Sequence, residues 1–151
     1  MSLKQRLQEE MKVALRAKEE GRLRLDTLRL VLAAIRNTEI DRRRELTDPE
    51  VVEVIAREVR QREEALAEFE RGQRPDLVER TRAEIAVLRE YLPEPLSEAA
   101  IRDLARQAIA QVGATGPRDM GKVMQALMPQ VKGRADGRLV SQVVRELLGE
   151  G

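Results

Sequence analysis

Two prolines set two residues apart constrain this chain more than any other feature. They lie in Tyr91-Leu92-Pro93-Glu94-Pro95-Leu96-Ser97. A proline has no amide to donate, and it pushes its predecessor toward extended backbone, so no helix continues through such a pair. The chain is therefore divided into residues 1–92, a linker over 93–96, and residues 97–151. A length of 151 residues allows one domain or two small ones. Apolar residues recur at helical spacing on both sides of the prolines. No segment combines alternation with β-branched enrichment, so no strands are expected. The predicted fold is all-α: an N-terminal hairpin or bundle of about four helices, then a small three-helix C-terminal domain.

The N-terminal helices are legible from their stripes and caps. The first is expected from about Ser2 to Glu20, with Leu3, Leu7, Met11, Ala14 and Leu15 inward and Gly21 as its stop. The second runs from about Arg22 into Arg42–Arg44. Leu25, Leu28, Leu32 and Ile35 repeat along it, and Leu30, Val31, Ala33 and Ala34 make its middle nearly apolar all round. Such a helix is expected to be the most buried of the chain. Thr47 and Glu50 make a capping box for the third, with Leu46 and Val51 as its hydrophobic staple. Val52, Ile55, Val59, Leu66 and Phe69 give it one face, interrupted by Arg62. Glu53–Arg57 and Glu58–Arg62 are spaced as i,i+4 pairs on its wet side. After Gly72, Pro75 or Asp76 opens a fourth helix with Leu77, Ile85, Leu88 and Leu92 inward.

Beyond the prolines, Ser97 caps a helix that carries Leu104, Ala105, Ala108, Ile109 and Val112 and stops at Gly113. Gly116 and Pro117 lead into Asp119–Val144. Met120, Val123, Met124, Leu127 and Val131 form one helical stripe there. Leu139, Val140, Val143, Val144 and Leu147 form the next. Pro129 should kink the first of these helices or end it just before. Gly133 falls where a helix end needs a left-handed residue, and Asp136 falls where the last helix needs a cap.

Composition excludes several kinds of chemistry. There is no Cys and no His, so disulfides, thiolate chemistry and the usual zinc sites are out, and the commonest acid–base residue is missing. Charged residues make up 36% and net charge is +1, so any basic site must be local. Arg greatly outnumbers Lys, as in GC-rich genomes or hot habitats. No apolar run reaches the roughly 20 residues of a membrane span. The opening MSLKQRLQEEM is charged throughout, and a cytoplasmic protein is expected. There is no P-loop, nucleophile elbow or dinucleotide fingerprint. No spacing singles out an acid–base pair, so no catalytic residues are expected; a carboxylate metal site and a small carboxylate-using enzyme stay open as the least favoured reading, and no metal or cofactor is assigned.

Two cationic groups remain as candidate sites. Lys122, Lys132, Arg134 and Arg138 can be imagined meeting at one corner and contacting phosphates, alongside free amides at a helix end. Alternatively, Lys132 and Arg134 merely complement a helix C-terminus. Arg22, Arg29, Arg36 and Arg43 recur every seven residues on the second helix. They either track a phosphate backbone or pair with Glu residues of neighbouring helices. Met120, Met124 and Met128 have the spacing of an adaptable groove and also of ordinary core methionines, and core is the favoured reading. Phe69 and Tyr91 are too few to stack successive bases, so any RNA would be recognised by shape and phosphates.

Lys122, Met124, the run Lys132-Gly133-Arg134-Ala135-Asp136, and Leu139-Val140 resemble the YqeY family. Leu46 to Glu98 is similar to the same family for most of its length, so the resemblance covers nearly the whole chain. The last third also resembles the C-terminal tail of the B subunit of the glutamyl/aspartyl-tRNA amidotransferase. Asp136 stands where that tail has Asn, and Gly137 where it usually has Pro. Aspartate caps equally well, but its charge weakens phosphate attraction beside Arg134. The resemblance implies an accessory role in tRNA chemistry, with tRNA as partner and an amidotransferase or aminoacyl-tRNA synthetase as a further one. Family members also occur fused to glutaminyl-tRNA synthetase. It implies association with carbon–nitrogen ligation using glutamine as amido donor, as participation and not as catalysis by this chain. No DNA or membrane partner is implied. The alternative is a module whose exposed C-terminal helices dock on another protein.

Overall fold

The computed structural model describes residues 1–150, in which seven α-helices occur and no strand. They are α1 (Leu3–Arg16), α2 (Arg22–Arg42), α3 (Asp48–Arg71), α4 (Pro75–Arg89), α5 (Glu98–Val112), α6 (Met120–Val131) and α7 (Gly137–Glu150). Contacts divide the chain into Met1–Leu92 and Pro93–Gly151. Each unit has its own aliphatic core.

In the first unit α1 and α2 form a hairpin and α3 packs along α4. The predicted first helix is too long. It ends at Arg16, Lys18 turns left-handed with φ 55°, and a 3-10 turn spans Lys18–Gly21. That turn seats buried Gly21 against Ala14, where an added Cβ would lie 2.1 Å from the Ala14 carbonyl oxygen. A helix continued to Glu20 would carry the chain past this contact. Leu7, Leu28, Val31 and Ile35 then close fully.

The apolar middle of α2 is not enclosed all round. Leu30 is 55% exposed, Ile40 64%, and Ala33 is exposed as well. Three neighbouring helices cover the inner side of α2, and nothing in this unit covers the outer side.

The capping box of α3 forms as the sequence suggests. The Glu50 amide donates to Thr47 Oγ1 at 3.4 Å, and the Thr47 amide donates to Glu50 Oε1 at 3.0 Å. Glu50 also takes both terminal nitrogens of Arg44, at 2.7 and 2.6 Å, and one of Arg42. The Glu58–Arg62 pair, 3.3 Å apart, is not on a wet face. The two side chains are only 17% and 14% exposed.

Tyr91, at the end of this unit, is a polar hub. Its hydroxyl donates to Glu10 Oε1 at 2.7 Å and accepts from Arg24 Nη1 at 3.3 Å. The Arg6 guanidinium lies 4.7 Å from the ring centroid, and Arg24 pairs with Glu90 at 2.5 Å. Burial, then the bond to Glu10, pushes the Tyr91 hydroxyl up to about 12.

In the second unit Ser97 caps α5 by accepting from the Ala100 amide at 3.1 Å, and left-handed Gly113 (φ 67°) ends it. Ile101, Val123, Leu127, Val131, Val140 and Val144 form the fully buried centre. Leu147 is only half-buried, and Leu148 takes the inward place instead. Pro129 does not end α6, which continues to Val131. A proline this near the end forfeits one internal hydrogen bond, and full burial of Val131 holds the last turn.

Two expectations follow. Gly21→Ala should lower stability by about 3 kcal/mol or more, because backbone must move to admit the methyl. Gly116→Ala, with nothing within 4 Å of its added Cβ, should change it little. Urea titration of the two variants checks this. The second concerns acid. The carboxyl of Glu39 is held low by Lys4 and the Leu46 amide, and that of Glu50 by Arg44 and the Thr47 amide. For Glu10, burial raises the value, but the Tyr91 hydroxyl and Arg6 outweigh it. Groups depressed in the folded state stabilise fully above the unfolded value, about 4.3 for Glu, and lose that contribution as pH falls through the folded values. The urea midpoint should therefore hold from about pH 7 to 5 and drop below about pH 4. Glu39→Gln should flatten that drop.

Candidate nucleic-acid interface

The corner between α6 and α7 is fixed by backbone geometry before any side chain acts. Lys132 leaves the helix in an extended conformation (ψ 129°), and Gly133 turns left-handed with φ 78°. The Arg134 amide donates to the Val131 carbonyl at 2.9 Å, closing the turn. The Arg134 carbonyl in turn accepts from the Leu96 amide at 2.8 Å. The double-proline segment thus acts as a strap that holds the basic loop. Arg134 Nε lies 3.4 Å from the Glu94 carbonyl on the same strap. Asp136 Oδ1 accepts from the Arg138 amide at 2.9 Å and the Asp136 carbonyl accepts from the Val140 amide, which together start α7.

This geometry qualifies the expected cluster. Lys132 and Arg138 are exposed and Arg134 is half-buried, all within one short stretch. No carboxylate pairs with the guanidinium of Arg134 or Arg138 among the described residues. Lys122 is not brought to this corner. It lies in the first turn of α6, ten residues from Lys132 and so about 15 Å away along the helix. Its charge instead helps keep Asp119 ionised, after the larger effect of the Thr115 amide, which donates to Asp119 Oδ2 at 2.9 Å. The amides at the start of α7 are not all free for an anion either, since Asp136 occupies the one at Arg138.

Sequence reasoning passed over Arg145. It is exposed, one heptad beyond Arg138 on α7, and has no ion pair among the described residues. Both arginines lie opposite the buried Val140, Val143 and Val144. The seven-residue spacing that marked the arginines of α2 was the available signal. Arg102, by contrast, is tied to Glu146 at 2.5 Å and Glu98 at 3.1 Å. Residues 93–151 hold eight Lys and Arg against seven Asp and Glu, so the basic character is local to the corner and the outer edge of α7.

Of the heptad-spaced arginines Arg22, Arg29, Arg36 and Arg43, none pairs with an acid of a neighbouring helix among the described residues. Arg22 reaches Asp26 on its own helix at 3.9 Å, and Arg80 of α4 reaches the same carboxylate at 3.6 Å. Arg29, Arg36 and Arg43 are exposed without an ion pair among the described residues. Arg29 and Arg36 lie on the outer side of α2, and Arg43 is its left-handed C-cap (φ 57°). Met120, Met124 and Met128 are half-buried against the C-terminal core, as packing residues. A cleft of about 520 Å³ at the α3–α4 turn is lined by Phe69, Pro75 and Val78 with Glu70, Glu79 and Arg82. Glu70 is committed to Arg82 at 3.0 Å.

The family model described as Yqey-like protein matches residues 4–148. Among curated relatives, a protein of Pyrenophora tritici-repentis named "Altered inheritance of mitochondria protein 41, mitochondrial" is 32% identical over 147 residues, covering 95% of this chain and 80% of the relative. Proteins of the same name from Kluyveromyces lactis and Lachancea thermotolerans are 38% and 34% identical over 56% and 57% of this chain. Those matches cover 45% and 46% of the yeast proteins' own lengths. The expectation of a cytoplasmic protein is overturned by these names, since all three relatives are named as mitochondrial. A charged surface suits any aqueous compartment, so it never distinguished between them.

The cap at Asp136 generates a stability test. Asp136→Ala should cost about 1 kcal/mol, the usual loss for an N-cap, whereas Asp136→Asn should stay within a few tenths. Thermal unfolding of the two variants distinguishes these outcomes.

Proposed function

The chain belongs to the YqeY family, and on that premise we propose that it is a helical tRNA-binding accessory module. Its role is to hold tRNA for glutamine-dependent carbon–nitrogen ligation or for aminoacylation, without a catalytic core of its own. The observation that carries this reading is the corner at 132–138, where Arg134 and Arg138 stand on strapped backbone with no carboxylate partner. Guanidinium groups without a carboxylate suit phosphate oxygens, which accept two parallel hydrogen bonds, and Arg134 keeps both terminal nitrogens for them while its Nε meets the Glu94 carbonyl. Arg145 extends the same cationic edge along α7. Binding of this kind positions a folded RNA by its backbone and carries no base readout.

Docking of a protein on the C-terminal helices is the weaker reading. The large apolar side chains exposed among the described residues are Met1, Val13, Leu15, Leu30 and Ile40, all in the first unit. The C-terminal helices therefore offer a partner protein little to bury, and a phosphate backbone needs no such surface.

Binding to total tRNA across a salt series tests the proposal. Wild-type affinity should fall steeply with salt, roughly in proportion to the phosphates contacted. Lys132→Glu/Arg134→Glu should abolish most of it, and Arg145→Ala should reduce the salt slope by about 1. Asp136→Asn, which keeps the cap and removes a negative charge, should tighten binding. Wild type that binds no tRNA at low salt would overturn the reading. Equal binding by wild type and the double variant would exclude this corner.

A further inference from the structure

The outer face of α2 combines two features that a free surface does not need. Arg29 and Arg36 on the helix, and Arg43 at its left-handed C-cap, are exposed and unpaired among the described residues. Between and beside them lie exposed Ala33, Leu30 at 55% and Ile40 at 64%. At 3.6 residues per turn, positions 29, 33, 36 and 40 share a strip about 60° wide, with Leu30 and Asn37 along one edge. The strip lies opposite the buried Leu28, Val31 and Ile35. Of the acids near it, Asp26 is taken by Arg80 and Arg22, and Asp41 stands outside the strip, beyond Asn37. The result is an aliphatic ridge bordered by cations about 10.5 Å apart.

We infer that this face docks an acidic amphipathic helix of a partner protein. An aliphatic centre with a charged rim is the anatomy of a protein interface. A helix with Glu or Asp at heptad spacing beside Leu or Ile supplies carboxylates at the same 10.5 Å repeat and buries Leu30 and Ile40. Other occupants match half of it. A second copy packed about a two-fold axis would bring the same strip, which carries Arg29 and Arg36 and no carboxylate for them. A nucleic-acid backbone would satisfy the arginines and leave Leu30 and Ile40 with nothing apolar to meet. A lipid surface would find two exposed aliphatics on the strip and no aromatic anchor.

The test uses the full chain and a fluorescent 21-residue peptide with Leu at heptad positions a and d and Glu at e and g. Three further probes are its Glu→Lys counterpart, an RNA duplex, and vesicles of anionic phospholipid. The Glu peptide should bind with an affinity that falls with salt, and the Lys peptide should not bind. Arg29→Glu/Arg36→Glu should weaken binding by about tenfold or more, as loss of interfacial charge pairs does. Leu30→Ser/Ile40→Ser should also weaken it, with helix content unchanged by circular dichroism. Lys132→Glu/Arg134→Glu should leave peptide binding intact, so failure here is distinct from failure of the tRNA proposal. The inference is overturned if the Glu peptide does not bind at about 1 mM, or if either α2 double variant binds it as wild type does. It is also overturned if the Lys peptide binds equally, or if the RNA duplex or vesicles prove to be what the α2 variants lose.

Discussion

A missing side-chain carbon sets the geometry of the N-terminal unit. Gly21 lies so close to the Ala14 carbonyl that no other residue fits without moving backbone. The core here is built almost wholly from Leu, Ile, Val and Ala, since aromatics make up only 1% of the chain. Small side chains fill space only when helices approach closely, because gaps forfeit dispersion contacts. The α1–α2 turn is one such approach. It places Leu7 where α2 and α3 can enclose it, and it sets which side of α2 faces inward. The outward side, with its arginines and its exposed Leu30 and Ile40, is a consequence of the same turn.

The C-terminal unit uses a different constraint toward a similar end. Its loop is held by main-chain hydrogen bonds, above all from the Leu96 amide to the Arg134 carbonyl. Leu96 packs on the C-terminal core, so the strap is anchored by burial as well as by hydrogen bonding. The prolines therefore do more than separate helices. They present an extended edge whose free amide and carbonyl groups grip the basic loop. A rigid loop loses little conformational entropy when it meets a ligand, which favours binding.

Much of the fold was legible because helix signals are local. The Thr47–Glu50 box, the Ser97 cap, and left-handed Gly113 and Gly133 each depend on residues within a few positions of one another. What failed depends on partners distant in sequence. Nothing near Lys18 announces a left-handed turn, because Gly21 is drawn to Ala14 by close helix packing. Leu30 and Ala33 fit an apolar pattern, yet burial needs a neighbour, and α2 has none on that side. At the candidate site the loop was legible as a motif. The separation of Lys122 was equally open to counting along α6, but the strap at Leu96 was not, because it joins residues 38 positions apart.

Charge in this protein is best sorted by partner, not by amount. Most arginines are spent on carboxylates, as Arg44 is on Glu50 and Arg102 is on Glu146 and Glu98. Exposed pairs of that kind add little stability each, often under about 1 kcal/mol. They do cancel the field, which leaves net charge at +1 and gives anions no reason to approach most of the surface. Against that neutral background, arginines without carboxylates stand out. Besides Arg16, Arg57, Arg60 and Arg118, they form two sets on separate units, Arg134 with Arg138 and Arg145, and Arg29 with Arg36 and Arg43. The first has no exposed large apolar residue beside it, and the second does. That difference in surroundings, not the arginines themselves, is the ground for proposing a phosphate backbone at the first and an acidic helix at the second.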